Sequence, residues 1–521
     1  MGKKTRTEYS YLNILAGVGG YSVSIILSLI NRMVFTRTLP ASYLGINGLF
    51  NNVISMLSLA ELGVGGAIVY ALYRPLAEDD RDKIASIVKL FGTAYRIIGG
   101  VIGGIGICIM PFLTLIVGEQ SDIHENLYLI FAFYLFNTAS SYFFTYRSTL
   151  LTAAQQNYYN TGLNYLIISI QEVIQAIYLI VTHEYIGYLV IQALGGLIYN
   201  VLISKLTVKK YPYIVGNNIK PLPKEESRAI FRNVRDLMIY KISGVLVNGT
   251  DNIIITIFSG LSITGLSSNY TLLVNTLSTL LNQIFNSVTA SVGNLNAVEN
   301  KNKRFKMLNM FTLTNFWLFG WASVGIIFVS GDLISLMFGS DYVLDIKIPL
   351  VMALNFYTVG MMNAIWTFKH TMGMFRYGRF VQFGTATFNL LFSIILGHFW
   401  GLFGILFATF LSRAFTNLWY DPFVIYKYGF NKSPLHYWVK YLHYLGVLIL
   451  TICICGGLCC FIKFNLVINI ILKVIVCSFI SNGIFYIAFH KTDEFAVAKN
   501  IVYQGFQMIE KKILNKKINS Q

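Results

Sequence analysis

Residues 43–84 read YLGINGLFNNVISMLSLAELGVGGAIVYALYRPLAEDDRDKI, and this stretch decides the class of fold. Its first part stays apolar for long enough to cross a hydrocarbon core of about 30 Å as a helix that rises about 1.5 Å per residue. It then passes directly into a loop that carries Arg74, Arg81 and Lys83. An apolar span followed by a short basic loop is typical of a polytopic membrane protein whose basic loops face the cytoplasm.

The rest of the chain follows the same pattern. It has 521 residues, 55% of them hydrophobic and only 12% charged, with a mean hydropathy of +0.60. Most of its 40 Lys and Arg residues lie in alternate gaps between about fourteen apolar stretches, and only Arg37, Lys347 and Lys463 fall in the other gaps. We therefore predict an all-α polytopic membrane protein with both termini in the cytoplasm. The net charge of +17 follows from this topology, so we expect no nucleic acid as a partner.

The gaps also predict a division into domains. The predicted spans cover residues 12–36, 46–73, 90–117, 126–146, 160–182, 186–204, 237–258, 264–292, 307–330, 348–368, 380–399, 401–426, 437–461 and 466–489. The longest basic gap separates the first six spans from the last eight. The resulting domains are an N-terminal lobe over 1–208, a cytoplasmic linker over 209–236, a C-terminal lobe over 237–430, two further spans within 431–490 and a basic cytoplasmic tail over 491–521.

Polar landmarks recur in the same order on the two sides of the linker, at an offset of about 220 residues. Asn31 and Arg32 in span one correspond to Asp251 and Asn252 in span seven. In the same way, the cation at residue 147, which ends span four, corresponds to the cation at residue 369, which ends span ten. Because six is an even number of spans, such repeats have the same orientation and predict two pseudosymmetric six-helix lobes plus a C-terminal helix pair. Random similarity between apolar helices is the alternative.

Two spans carry polar side chains along one helical face, which indicates contact with water or with protein rather than with lipid. In span two this face contains Asn47, Asn51, Ser58, Glu61 and Gly65. In span eight it contains Asn275, Thr279, Asn282, Asn286, Thr289 and Gly293. The repeated position favours the lining of a water-filled cavity, but hydrogen-bonded helix packing uses the same residue types.

Cations outnumber acids inside the predicted spans and at their ends. The cations are Arg32, Arg37, Arg147, Lys241, Lys369, Arg376 and Arg413, and the acids are Glu61, Glu172 and Asp251. This excess favours an anionic ligand, because a guanidinium stays charged and binds phosphate or carboxylate in a bidentate manner. The alternative for Arg147, Lys369 and Arg376 is snorkelling from a cytoplasmic helix end, which we also expect of Arg96, whereas Lys473 is expected to reach the outer interface.

Glu61 and Asp251 are candidates for ion coupling, since protonation of a buried carboxyl can drive a conformational change, although ion pairs with arginine are an equal alternative. The sequence contains no Walker motif, no nucleophile beside a base and no zinc-ligand spacing around its six cysteines. We therefore expect a transporter without cofactor or metal, and not an enzyme.

Residues 43–84, together with LISLMFGSDYVLDIKIPLVMALNFYTVGMMNAIW at 333–366, resemble the polysaccharide-transporter branch of the MOP exporter superfamily. This branch comprises the Wzx-type flippases of bacterial capsule, exopolysaccharide and O-antigen synthesis, which are related to the MurJ-type lipid II flippases. The resemblance implies a multi-pass protein of the bacterial cell membrane that flips an undecaprenyl-diphosphate-linked oligosaccharide to the outer leaflet by alternating access through a cationic central cavity. A polysaccharide polymerase and a chain-length regulator are the partners it suggests.

Under this interpretation Arg32, Arg37 and Arg413 hold the anionic head group, and Arg147 and Lys369 act at the cytoplasmic entrance. The sugars would be hydrated by Asn47, Asn51, Asn275, Asn282 and Asn286. One alternative is a cation-coupled multidrug exporter of the same superfamily, in which Glu61 and Asp251 would bind the drug or the ion. A membrane-embedded glycan polymerase or acyltransferase is a further alternative, but such an enzyme needs catalytic groups in large outer loops.

Overall fold

The computed structural model describes residues 6–58, 64–117, 123–216, 219–228, 230–231, 250–298, 300–372, 374, 377 and 379–500. Throughout these ranges the regular secondary structure is helical, without strands. The prediction of an all-α polytopic membrane protein with about fourteen spans is confirmed. A chain that crosses lipid must satisfy its backbone polar groups internally, and a helix does so within one segment.

The helices are numbered here in chain order. They are α1 (Arg6–Thr38), α2 (Ala41–Leu57), α3 (Val64–Glu78), α4 (Arg81–Ile109), α5 (Leu113–Val117), α6 (Leu127–Ala153), α7 (Tyr158–Thr182), α8 (Tyr185–Lys210), α9 (Asp251–Val298), α10 (Lys301–Phe338), α11 (Lys347–Thr371), α12 (Arg379–Phe415), α13 (Asn417–Val424), α14 (Leu435–Cys459) and α15 (Leu466–Phe489). Side chains that accept hydrogen bonds from backbone amides fix several starts. Asp80 caps α4, Asn126 caps α6 and Asn300 caps α10.

Ten helical segments within the described residues are long and apolar enough to cross a membrane. One of them, Val381–Gly429, contains 49 residues and bends sharply at Gly401, where φ is 55° and ψ is −135°. Helix α9 contains a similar break at Gly260, where φ is 83°. Both breaks lie where the sequence predicts a connection between two spans, and glycine adopts positive φ without the steric cost of a Cβ.

The chain divides into two compact units, Met1–Gly265 (unit 1) and Leu266–Gln521 (unit 2). In unit 1, α1 packs along α7, and α6 lies against both α4 and α8. The first part of α9 belongs to unit 1 because it approaches α2 backbone to backbone: a Cβ at Gly45 would overlap the Leu261 carbonyl oxygen, and one at Gly265 would overlap that of Ala41. The lobe boundaries derived from the sequence stay predictions.

In unit 2, α10 packs against α11 and against the C-terminal pair, α14 and α15. Phe316 of α10 has its ring centre 4.8 Å from that of Tyr444 and 4.7 Å from that of Phe485. Residue Lys473 of α15 places its ammonium nitrogen 2.5 Å from a carboxylate oxygen of Asp332 of α10, a partner that the sequence analysis did not foresee. The C-terminal pair is thus part of unit 2 through both apolar and polar contacts with α10.

Candidate ligand and coupling sites

Three of the predicted site residues, Glu61, Lys241 and Arg376, lie outside the described residues, and so does the side chain of Asn286. The others fall into separate clusters, each within a single unit. In unit 1 the clusters surround Asn31, Asn47 and Arg147, and in unit 2 they surround Lys369, Asn282 and Arg413.

The first cluster of unit 1 surrounds Asn31 of α1. Its side-chain amide donates a hydrogen bond to Glu172 of α7 and a second, at 3.4 Å, to the hydroxyl of Tyr188 of α8. Gln175, one turn after Glu172, donates to the Tyr188 carbonyl oxygen at 3.0 Å. Glu172 also accepts a hydrogen bond from Ser28, so its described partners are neutral. The cluster therefore holds a half-buried carboxyl that contacts no opposite charge among the described residues.

Asn47 of α2 joins two other helices of unit 1. Its side-chain oxygen accepts hydrogen bonds from the hydroxyls of Tyr134 of α6 and Tyr185 of α8, and these hydroxyls lie 3.4 Å apart. The ring of Tyr43 lies 4.9 Å from that of Tyr185, and the Tyr43 hydroxyl donates to Glu125 at 2.5 Å. In this conformation Asn47 packs helices together, the alternative that the sequence left open for the polar stripes.

The third cluster of unit 1 contains Arg147, which is half-buried near the end of α6. Its Nε donates to the Tyr146 hydroxyl and its Nη1 to the Ser204 hydroxyl of α8, both at 3.0 Å. Both partners are neutral, and they are the side chains to which Arg147 donates hydrogen bonds among the described residues. A guanidinium whose partners carry no charge keeps its full attraction for an anion.

The corresponding cation of unit 2 is paired with an acid. The ammonium nitrogen of Lys369 on α11 lies 2.5 Å from one carboxylate oxygen of Asp421 on α13, and Trp366 Nε1 donates to the other oxygen at 3.0 Å. The two charged side chains are only 11% and 2% exposed. The sequence analysis did not include Asp421 among the intramembrane acids, and this correction removes Lys369 from the cations whose charge is uncompensated.

Helix geometry around Asp421 is irregular. The helical axis is interrupted between α12 and α13 at Thr416, Pro422 lies inside α13, and residues 425–429 form a π-helical turn. Such irregular turns occur frequently at functional sites, and proline removes a backbone donor. The interruption lets a short helix present Asp421 to α11.

The remaining predicted residues of unit 2 contact amides outside the predicted set. Arg413 donates to the side-chain oxygen of Asn355 at 3.4 Å, and Asn282 accepts from the amide of Asn363 at 2.8 Å. Asn275 is exposed. In unit 1, Asn51 and Arg37 are exposed as well, Arg32 is half-buried next to Asn31, and Asp251 is half-buried at the start of α9.

Several functional candidates were missed from the sequence. Asp421 could have been found, because it lies inside the predicted span 401–426 and a lone acid in an apolar stretch needs a partner. Ser204, Tyr134, Tyr185 and Tyr188 gave no signal, because hydroxyl residues inside apolar helices are common and their partners are distant in the chain.

No protein-family model and no curated sequence matches the chain. Several solved structures match the chain. The lipid II flippase MurJ in an inward closed conformation has 16% sequence identity and a TM-score of 0.60, with 91% of this chain and 99% of that chain covered. An inward-facing multidrug resistance MATE family transporter of the MOP superfamily has 14% identity and a TM-score of 0.57, with 80% and 97% covered.

A third structure, a MATE transporter of Vibrio cholerae, has 11% identity and a TM-score of 0.51, with 85% of this chain and 98% of that chain covered. At these identities the likeness shows a shared fold. The chain is a multi-pass membrane protein that shares the fold of these structures, and any function must be argued from its own residues.

Proposed function

We propose that this protein flips an undecaprenyl-diphosphate-linked oligosaccharide from the cytoplasmic to the outer leaflet of a bacterial cell membrane. The observation that carries the proposal is Arg147, a half-buried guanidinium with neutral partners in a helix of a membrane transporter fold. A diphosphate and a hydrated sugar cross hydrocarbon only at high cost, so a protein must offer them polar groups while the polyprenyl chain stays in lipid. The likeness to the MurJ structure supports a flippase with this fold.

Within this function Arg32, Arg37 and Arg147 of unit 1 attract the diphosphate, and Arg413 of unit 2 is a separate candidate. The sugars are hydrated by the amides of Asn47, Asn51, Asn275, Asn282 and Asn286. Asn47 becomes available to a sugar only when its tyrosine partners move away, which makes its contacts with Tyr134 and Tyr185 part of the conformational cycle.

Energy coupling requires an acid that can change its charge. Glu61 and Asp251 remain candidates, and Glu172 joins them because its hydrogen-bond partners Asn31 and Ser28 are neutral. A carboxyl of this kind can take up a proton without breaking an ion pair.

In the proposed topology both chain termini and the linker face the cytoplasm. A polymerase and a chain-length regulator act on the flipped product.

A cation-coupled multidrug exporter is the second candidate. Glu172 also favours it, because a carboxylate with neutral partners attracts a cationic drug as well as a proton, and the MATE structures share the fold. The two functions differ in the sign of the ligand. Arg147 would repel a cationic drug and would attract a diphosphate.

The experiment uses a bacterial strain whose surface polysaccharide depends on this protein. Arg147→Gln should lower the surface polysaccharide at least about tenfold, the change expected from the loss of about 1.4 kcal/mol of binding, while lipid-linked repeat units accumulate inside. Arg147→Lys, the matched control, should be intermediate because it keeps the charge and loses the bidentate geometry. Normal polysaccharide in the Arg147→Gln strain at wild-type protein level, with loss of resistance to a cationic dye in a deletion strain, would favour the exporter.

A further inference from the structure

The two corresponding cations have partners in corresponding predicted spans, and these partners differ in charge. Arg147 ends the fourth predicted span and contacts Ser204 in the sixth. Lys369 ends the tenth predicted span and contacts Asp421 in the twelfth. The repeat thus preserves a cation and a polar partner two spans later, while it changes that partner from a hydroxyl to a carboxylate.

This change has an electrostatic consequence for an approaching phosphate. A phosphate near Lys369 would have to displace a carboxylate that already contacts the ammonium at 2.5 Å, and it would meet the repulsion of that carboxylate at short range. Displacement would also leave Asp421, whose side chain is 2% exposed, as a buried charge without its cation. A phosphate near Arg147 has to displace only hydroxyl oxygens.

Trp366 holds the carboxylate in place. Its indole N–H donates to the oxygen of Asp421 that Lys369 does not contact, so both oxygens of the acid are occupied from α11. The two donors are three residues apart on that helix and therefore share one face. Asp421 is fixed by two donors in the orientation that neutralises Lys369.

We propose that Asp421 is a resident counter-ion that keeps Lys369 from holding the phosphate of the ligand, so that, of the two corresponding cations, Arg147 binds the anionic head group. This inference rests on the proposed function and deepens it by assigning the two corresponding cations different roles. Lys369 and Asp421 hold α11 to α13, and Arg147 binds the ligand. Asp421 determines this difference between the units, because without its charge Lys369 would offer a second anion site.

The test measures the affinity of the purified full-length protein for inorganic pyrophosphate, by equilibrium binding at fixed ionic strength. Arg147→Gln should weaken binding at least about tenfold. The double variant Lys369→Met/Asp421→Asn, which removes both charges together, should bind pyrophosphate within about twofold of the wild type. Asp421→Asn alone should bind a second equivalent of pyrophosphate, because the charge of Lys369 is then available.

A matched control is Lys473→Met/Asp332→Asn, which neutralises the other ion pair of unit 2 and should leave the affinity unchanged. Size-exclusion chromatography and thermal unfolding verify that each variant is folded. If Asp421→Asn does not fold, the double variant decides. A folded double variant that loses pyrophosphate binding, while the wild type and the control bind it, overturns the inference and leaves the proposed flippase intact. Absence of binding to the wild type overturns both.

Discussion

Unit 1 and unit 2 accommodate charge inside the membrane in opposite ways. In unit 1, Glu172 and Arg147 lie in separate clusters, and each has neutral hydrogen-bond partners among the described residues. In unit 2, Lys369 and Asp421 are in direct contact. Charges with neutral partners can respond to a ligand or a proton, whereas a buried ion pair resists any change that leaves one charge alone. The difference shows that corresponding predicted positions in the two units do not have the same charge partners.

The largest expected effect concerns stability. Lys369→Met should lower the free energy of unfolding by about 3–5 kcal/mol, because it leaves the Asp421 carboxylate buried without its cation. Lys369→Met/Asp421→Asn should recover most of this loss, and Arg147→Gln should lose less than Lys369→Met because its partners are neutral. Denaturant unfolding of the purified variants measures all three. An equal loss for Lys369→Met and Arg147→Gln would remove the electrostatic difference between the units.

A second prediction concerns coupling in unit 1. Glu172→Gln keeps a side-chain oxygen for the amide of Asn31 but cannot lose a proton, so it should remain folded. Export driven by an ion gradient should fall at least about tenfold, and the remaining export should no longer depend on the gradient. Transport into vesicles with and without an imposed gradient measures this. Wild-type gradient dependence in the variant would return the coupling role to Glu61 or Asp251.

The smallest expected effect concerns an ion pair of unit 2 between Lys440, near the start of α14, and Glu494, which follows α15. Glu494 accepts a hydrogen bond from Lys440. Burial acts to raise the pKa of Glu494, but the hydrogen bond and the charge of Lys440 outweigh it and lower that pKa. A lowered pKa in the folded state means that the pair stabilises the protein above the pKa of an unfolded glutamate, about 4.3, and that this stability is lost as pH falls through the folded value.

Because the pair is partly exposed, its contribution should be below about 1 kcal/mol. Thermal unfolding of the wild type and of Lys440→Met between neutral and acidic pH provides the measurement. The difference in unfolding temperature between the two proteins should become smaller as the pH decreases. A difference that grows in acid would contradict the assignment, since protonated Glu494 has no charge for Lys440 to stabilise.

Much of the fold could be predicted from the sequence, because a segment that crosses lipid as a helix must be long and apolar. The apolar spans and the C-terminal helix pair follow from hydropathy, and the breaks that the structure shows at Gly260 and Gly401 lie at boundaries between predicted spans. The cation at residue 147 and the one at residue 369 were also found from the sequence, as corresponding ends of two spans.

The partners of these cations could not be found in the same way. Ser204 lies 57 residues from Arg147, and Asp421 lies 52 residues from Lys369. Each contact therefore depends on how helices that are distant in the chain pack together. Hydropathy indicates which helices cross the membrane, but it gives no information on which helix faces contact one another. Hydropathy likewise gave no sign that Asn47, which the sequence predicts to contact sugars, accepts hydrogen bonds from Tyr134 and Tyr185 in this structure.

The most direct test of the account reconstitutes the wild-type protein in vesicles that contain a fluorescent undecaprenyl-diphosphate oligosaccharide and measures how fast a membrane-impermeant quencher gains access to the inner-leaflet fraction. The account predicts access faster than in protein-free vesicles, slowed at least about tenfold by Arg147→Gln and unaffected by Lys473→Met/Asp332→Asn. A rate equal to that of protein-free vesicles, from protein that transports a cationic dye under the same gradient, would contradict the account.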